Sequence, residues 1–149
     1  MTDILTLAVL LLAGNVVLFT LAYLVSRRLG NYGVVDVVWS LAFTPAVLTA
    51  ALLGDGDPGR RLLVAVLVSG WSLRLGTHLG RRVLGHLDKE DGRYVALRQR
   101  WSHNFNALMY GFFLLQAASV VVLSLPLLLA VQASEVIAAI DTFLGEQLS

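Results

Sequence analysis

The chain has 149 residues, 57% of them hydrophobic and 14% charged, with a formal net charge of +1 and no cysteine. Soluble domains carry about 25% charged residues, so this composition belongs to a membrane protein. The lack of thiols excludes disulfides, thiolate metal sites and cysteine nucleophiles, and a net charge near zero argues against nucleic acid as a partner.

A bilayer core about 30 Å thick needs roughly 20 helical residues to cross it. Four segments meet that length: 4–26, uncharged and closed by Arg27 and Arg28; 34–53, with Asp36 near its start; 62–80, preceded by Arg60 and Arg61; and 105–126, ending at Pro126. Met-Thr-Asp precedes the first apolar run with no basic residue and no small-residue cleavage site follows it, so the run is expected to stay in the mature protein. From Leu127 onward, Val136, Ile137, Ile140, Phe143 and Leu144 share one helical side while Glu135, Asp141 and Glu146 lie elsewhere. That pattern predicts an amphipathic surface helix or a partial fifth span. The expected fold is therefore an all-α transmembrane bundle of about four spans, forming one domain over 1–149, since no repeat or linker divides the chain.

Basic residues set the expected orientation. Arg27 and Arg28 follow the first span, and Arg81, Arg82, Lys89, Arg93, Arg98 and Arg100 follow the third, whereas only Arg60 and Arg61 lie on the other side. The positive-inside rule then puts loop 81–104 in the cytoplasm and the N-terminus outside a bacterial inner membrane.

The costly residues inside the spans are Asp36, Arg74 and His78, because such groups face a bundle interior, pair, or snorkel to the interface. Trp71, Arg74, His78, Arg81 and Gly85 recur at spacings of three and four and so share a face, as do Asp36, Trp39, Ser40 and Phe43. Asp36 and Arg74 lie at depths that a guanidinium arm can bridge. Together they predict a polar, aromatic-rimmed cavity between spans two and three, open to the cytoplasm. Snorkelling of Arg74, an interfacial belt containing Trp39 and Trp71, and helix capping by Asp36 are the competing structural explanations.

Most of the basic residues fall between Trp71 and Trp101, and the segment Asp88-Lys89-Glu90-Asp91-Gly92-Arg93-Tyr94 leads into Val95-Ala96-Leu97-Arg98-Gln99-Arg100-Trp101. This reads as a turn followed by a short amphipathic helix whose Arg93, Arg98 and Arg100 could grip phosphates, a task that suits the planar, permanently charged guanidinium. A basic loop resting on anionic lipid would need no such geometry. Gly54-Asp55-Gly56-Asp57-Pro58-Gly59 spells G-x-G-x-x-G, but it joins two spans, follows no strand and carries acids where pyrophosphate would sit, so it is a turn. His78, His86 and His103 are too dispersed for a metal site, and none is expected.

The ordered set Val35-Asp36-Val37-Val38-Trp39-Ser40, Trp71-Ser72-Leu73-Arg74-Leu75 with His78 and Arg81, Glu90-Asp91-Gly92-Arg93-Tyr94 with Leu97-Arg98 and Trp101, and Gln116-Ala117 with Leu125-Pro126 resembles a largely uncharacterised bacterial membrane family. That family is similar to the C-terminal domain of steroid 5-alpha-reductases. The resemblance implies use of NADPH at the cytoplasmic side to reduce a conjugated carbon-carbon double bond in a lipid-like, steroid-type substrate. It implies that Asp91, Arg93, Tyr94 and Arg98 belong to the cofactor site, that Arg74, His78 and Arg81 line its inner wall, and that Asp36 and Trp39 approach the substrate or brace the arginines. Members are about twice as long and carry a His-Pro-Asn-Tyr-like stretch in their second half, which this sequence does not contain. The chain thus corresponds to the family's first half, as a fragment or a natural short form, and the catalytic acid is unassigned.

Two functions follow. One is an oxidoreductase-like membrane protein whose site is completed by a second chain or another copy. The other is a non-catalytic multi-span protein whose basic loop binds anionic membrane lipid or a partner protein.

Overall fold

A computed structural model describes residues 3–148, apart from the side chains of residues 133–139. The described residues form six helices: α1 (Ile4–Leu29), α2 (Val34–Leu53), α3 (Pro58–Leu84), α4 (Gly92–Arg100), α5 (Phe105–Val131) and α6 (Ala133–Leu148). Helices α1, α2, α3 and α5 are long and apolar enough to cross a membrane. Their outer faces carry exposed Leu5, Val9, Leu21, Leu62, Leu67, Leu115 and Val122, a surface far too apolar for a water-soluble monomer. The protein is an all-α integral membrane bundle.

Local chemistry sets the helix ends. Asp3 accepts from the Thr6 amide at 2.6 Å to start α1, and Gly30 ends it with φ 68°, a left-handed turn that returns the Asn31 amide to the Ser26 carbonyl. Asp57 caps α3 through the Arg60 amide, with Pro58 in the first turn where its missing N–H costs nothing. Arg81 and Arg82 sit in the last turn of α3, where cations complement the helix dipole. That is why α3 runs from 58 to 84 and not from 62 to 80. The predicted loop 81–104 consequently holds the end of α3 and all of α4.

Helix α5 passes through Pro126 and ends at Val131, five residues beyond its predicted stop, and α2 likewise contains Pro45. Proline removes one backbone bond, but an apolar helix in lipid has no water with which to satisfy an unwound segment, so the helix continues. Helix α6 begins at Ala133, not Leu127, and Ile140, Asp141, Phe143, Leu144 and Glu146 are all exposed on it. Val136 and Ile137 of the predicted apolar side, and Glu135 of the polar one, lie outside the described side chains.

Two seams hold the bundle. Helices α2 and α3 meet through small and hydroxyl residues: Ser72 donates to the Ser40 carbonyl at 2.6 Å, Thr44 donates to the Ser72 hydroxyl at 2.8 Å, and Gly76 faces Leu41. Small residues allow the backbones to approach, and dispersion and hydrogen bonding then do what the hydrophobic effect cannot do in lipid. Helices α1 and α5 meet through aromatics, with Tyr23 against Tyr110 and Phe113, Thr20 bonded to Tyr110 at 2.8 Å, and the Tyr23 hydroxyl donating to the Asn106 carbonyl. Trp39 of α2 donates its indole N–H to Ser119 of α5 at 3.0 Å and so links the two seams.

Candidate functional site

At one end of the bundle the start of α2, the end of α3 and the segment leading into α4 enclose a hollow of about 750 Å3. Asp36 and Trp39 come from α2, Leu79, Arg82, Val83 and His86 from the end of α3 and just beyond it, and Lys89, Glu90, Asp91 and Arg93 from the connection and first turn of α4, with Asn31 and Gly33 closing one side. The volume lies in the range of small-molecule and cofactor sites.

Helix α4 is fixed over this hollow by charge. Asp91 is its N-cap and accepts from the Arg93 amide at 2.9 Å and from the Arg93 Nε at 3.1 Å. The bonds to Arg93 hold the Asp91 carboxyl below the usual carboxylate range, and Asp91 and then Asp36 raise Arg93. Asp36 receives two groups from α4: the Tyr94 hydroxyl donates to Oδ1 at 2.9 Å and Arg93 to Oδ2 at 3.1 Å. Tyr94 is buried, and burial first, then the adjacent Asp36 charge, pushes its phenol well above the ordinary tyrosine value. Tyr94 therefore keeps its proton and acts as a donor.

A second clasp lies beside the first. Arg98 forks onto Glu90 at 2.7 and 3.1 Å, Glu90 also accepts from the Tyr32 amide at 2.7 Å, and Arg98 donates to the Gly30 carbonyl at 3.2 Å. The Arg98 guanidinium stacks over Tyr32 and Phe105, 4.8 and 5.1 Å from the ring centroids. Glu90 raises the Arg98 pKa further. Burial raises the Tyr32 phenol. This clasp ties α4 to the turn between α1 and α2.

All three carboxylates of the lining are thus engaged. The cations are less so: Arg82 lies 3.9 Å from Asp91 with its side chain 70% exposed, and Lys89 stands exposed at the rim. His86 Nδ1 donates to the Arg82 carbonyl at 3.1 Å, which leaves Nε2 available. The hollow can therefore take an anion while its carboxylates hold the walls in place.

The residues singled out from the sequence divide into two groups. Asp36, Trp39, Asp91 and Arg93 line the hollow, Tyr94 holds Asp36 in its wall, and Arg98 clamps the far end of α4. Arg74, His78 and Arg81 do not reach it; all three are exposed on α3, roughly 120° round the helix from Leu79, Arg82, Val83 and His86. The expected bridge between Asp36 and Arg74 does not form, because Arg93 and Tyr94 take both oxygens of Asp36. Sequence reasoning missed Asn31, Tyr32, Arg82, His86, Lys89 and Glu90. Arg82 and His86 had a usable signal, being the other cationic face of the same helix, whereas Tyr32 and Glu90 act through backbone and loop contacts that no spacing encodes.

No curated protein and no solved structure matches this chain. The profile of one family covers residues 22–146, which take in both clasps, the hollow, α2, α3 and α5, and the last part of α1 from Ala22 onward. The chain belongs to the family described as protein of unknown function DUF1295.

Proposed function

We propose that the chain is a reductase-type membrane protein that binds NADPH in the hollow beneath α4 and serves the reduction of a conjugated double bond in a lipid-like substrate. The resemblance to steroid 5-alpha-reductase-like proteins supplies the chemistry. One observation carries the reading: Arg82, Lys89 and Arg93 gather round a hollow whose carboxylates are already partnered, where apolar helices end. By the positive-inside rule that end faces the cytoplasm, where NADPH is found.

Arg82 would hold phosphate oxygens in paired bonds and Lys89 as a point charge, while Arg93, whose Nε and Nη2 are taken by Asp91 and Asp36, would offer its remaining Nη1. Asp36 and Tyr94 fix Arg93 in position, and Trp39 offers a flat apolar wall whose polar edge is tied to Ser119. When bound, the nicotinamide supplies hydride to the β-carbon of an enone. An apolar substrate would reach this end of the bundle from the lipid.

The test is NADPH titration of the purified protein in detergent, followed by quenching of tryptophan fluorescence, with Arg82→Gln and Arg93→Ala alongside. A charge-assisted hydrogen bond is worth about 1.5–3 kcal/mol, so each variant should bind roughly tenfold or more weakly. The reading fails if the wild type shows no saturable binding, or if both variants match it. Either result favours a non-catalytic membrane protein.

A further inference from the structure

We propose that the outward face of α3 is a binding site for one anionic glycerophospholipid of the phosphatidylglycerol type. Helix α3 has three sides. Ala65, Ser72, Gly76 and Gly80 are buried against the bundle, Leu79, Arg82 and Val83 face the hollow, and the third side carries Leu63, Leu67, Trp71, Arg74, His78 and Arg81. Those last six recur at spacings of three and four, forming one continuous stripe. All six are exposed.

The stripe has two halves of opposite character. Leu63, Leu67 and Trp71 are 58%, 63% and 49% exposed and form an apolar half, and Arg74, His78 and Arg81 form a cationic half beyond them. An acyl chain against the first and a phosphate against the second match this order. The uncharged stretch of α3, Leu62 to Leu73, is only about 18 Å long at 1.5 Å per residue, against a hydrocarbon core of about 30 Å. Arg74 therefore lies below the headgroup plane on a face that meets lipid, a costly position unless an anion is drawn down to it.

No partner among the described residues does this. The side chains of Arg74, His78 and Arg81 make no hydrogen bond or ion pair with described residues, and the carboxylate of α2, Asp36, is committed to Tyr94 and Arg93. A phospholipid supplies the missing phosphate and is already present at that surface.

Native mass spectrometry of the purified protein, equilibrated with equal amounts of phosphatidylglycerol and phosphatidylethanolamine, tests the proposal. The wild type should retain phosphatidylglycerol preferentially. An Arg74→Gln, Arg81→Gln double variant should lose that preference by roughly tenfold or more, while Arg27→Gln, Arg28→Gln, which alters exposed arginines elsewhere at the same end, should keep it. Arg74→Gln alone should give an intermediate loss, which guards against a double variant that does not fold. No preference in the wild type, or equal loss in both double variants, overturns the proposal. So does a photo-crosslinker at position 67 that captures protein and no lipid.

Discussion

The bond from Tyr94 to Asp36 is the buried one of the bonds that fasten α4 to α2, and removing it should loosen α4 without unfolding the bundle. Tyr94 is 3% exposed and donates to an ionised oxygen at 2.9 Å, so Tyr94→Phe should destabilise closure of α4 by about 1.5–3 kcal/mol. Local opening of a helix appears as faster amide exchange, and each 1.4 kcal/mol is tenfold. Amides of residues 93–100 should therefore exchange roughly 10- to 100-fold faster, with those in the middle of α5 unchanged. Asp36→Asn keeps an oxygen for Tyr94 but removes the charge. It weakens the tyrosine bond to a neutral one and loses the Arg93 pair, which is worth only about 0.2–1 kcal/mol because the arginine side chain is 67% exposed. The two substitutions share one bond, so their combined effect should fall short of the sum by about 1 kcal/mol. Hydrogen exchange with mass spectrometry on the four proteins in detergent reads all of this. Exchange in Tyr94→Phe within twofold of wild type, or effects that simply add, would refute the reasoning.

The seam between α2 and α3 makes a second prediction. A β-carbon at Gly76 would overlap Leu41, whereas one at Gly80 would meet only Val37 Cγ1 at 3.7 Å, so Gly76→Val should cost about 1–3 kcal/mol and Gly80→Ala should be neutral or stabilising by up to ~1 kcal/mol; melting in detergent by tryptophan fluorescence distinguishes them. The third prediction concerns pH. Asp91 has a lowered pKa in the fold, so its contribution is complete above about pH 4 and is lost as pH falls through the folded value. Tyr94 has a raised pKa, so its contribution is complete below about pH 10 and is lost as pH rises through the folded value. A nitroxide on Ala96→Cys, the sole thiol in a protein without cysteine, should stay restrained from neutral pH up to about pH 10 and gain mobility as the pH falls below about 4 and through the folded value of Asp91; mobility unchanged from neutral pH down to about pH 2, or a gain already on going from neutral pH to about pH 9, would contradict the assignment.

The four long helices could be read from composition because apolar length is a property of a segment by itself. Their ends were harder to place, since Asp57-Pro58 and Arg81-Arg82 look like loop residues until their roles as cap and dipole partners are recognised. The direction in which a face points was not legible. Spacing put Arg74, His78 and Arg81 together correctly, but in a membrane the inward side can be the small and hydroxyl one, here Ser72, Gly76 and Gly80, and the rule that polar residues point inward selects the wrong side. Depth alone likewise matched Asp36 with Arg74, when its partners arrive from a helix 57 residues further along the chain. The pairing of Glu90 with Arg98 and the Tyr32 amide joins loop positions that follow no periodicity.

The seam between α2 and α3 bears on the order in which the protein assembles. Its turn is bound internally, with Arg61 donating to the carbonyls of Gly56 and Ala51 at 2.9 and 2.8 Å, and its contacts need nothing from α1 or α5. Such a helical hairpin can enter the bilayer as a single insertion unit, the hydroxyls of Ser40, Thr44 and Ser72 bonded within it before the aromatic helices dock. Synthesis then delivers the floor and one wall of the hollow first, and α4 comes to rest on a foundation already in place.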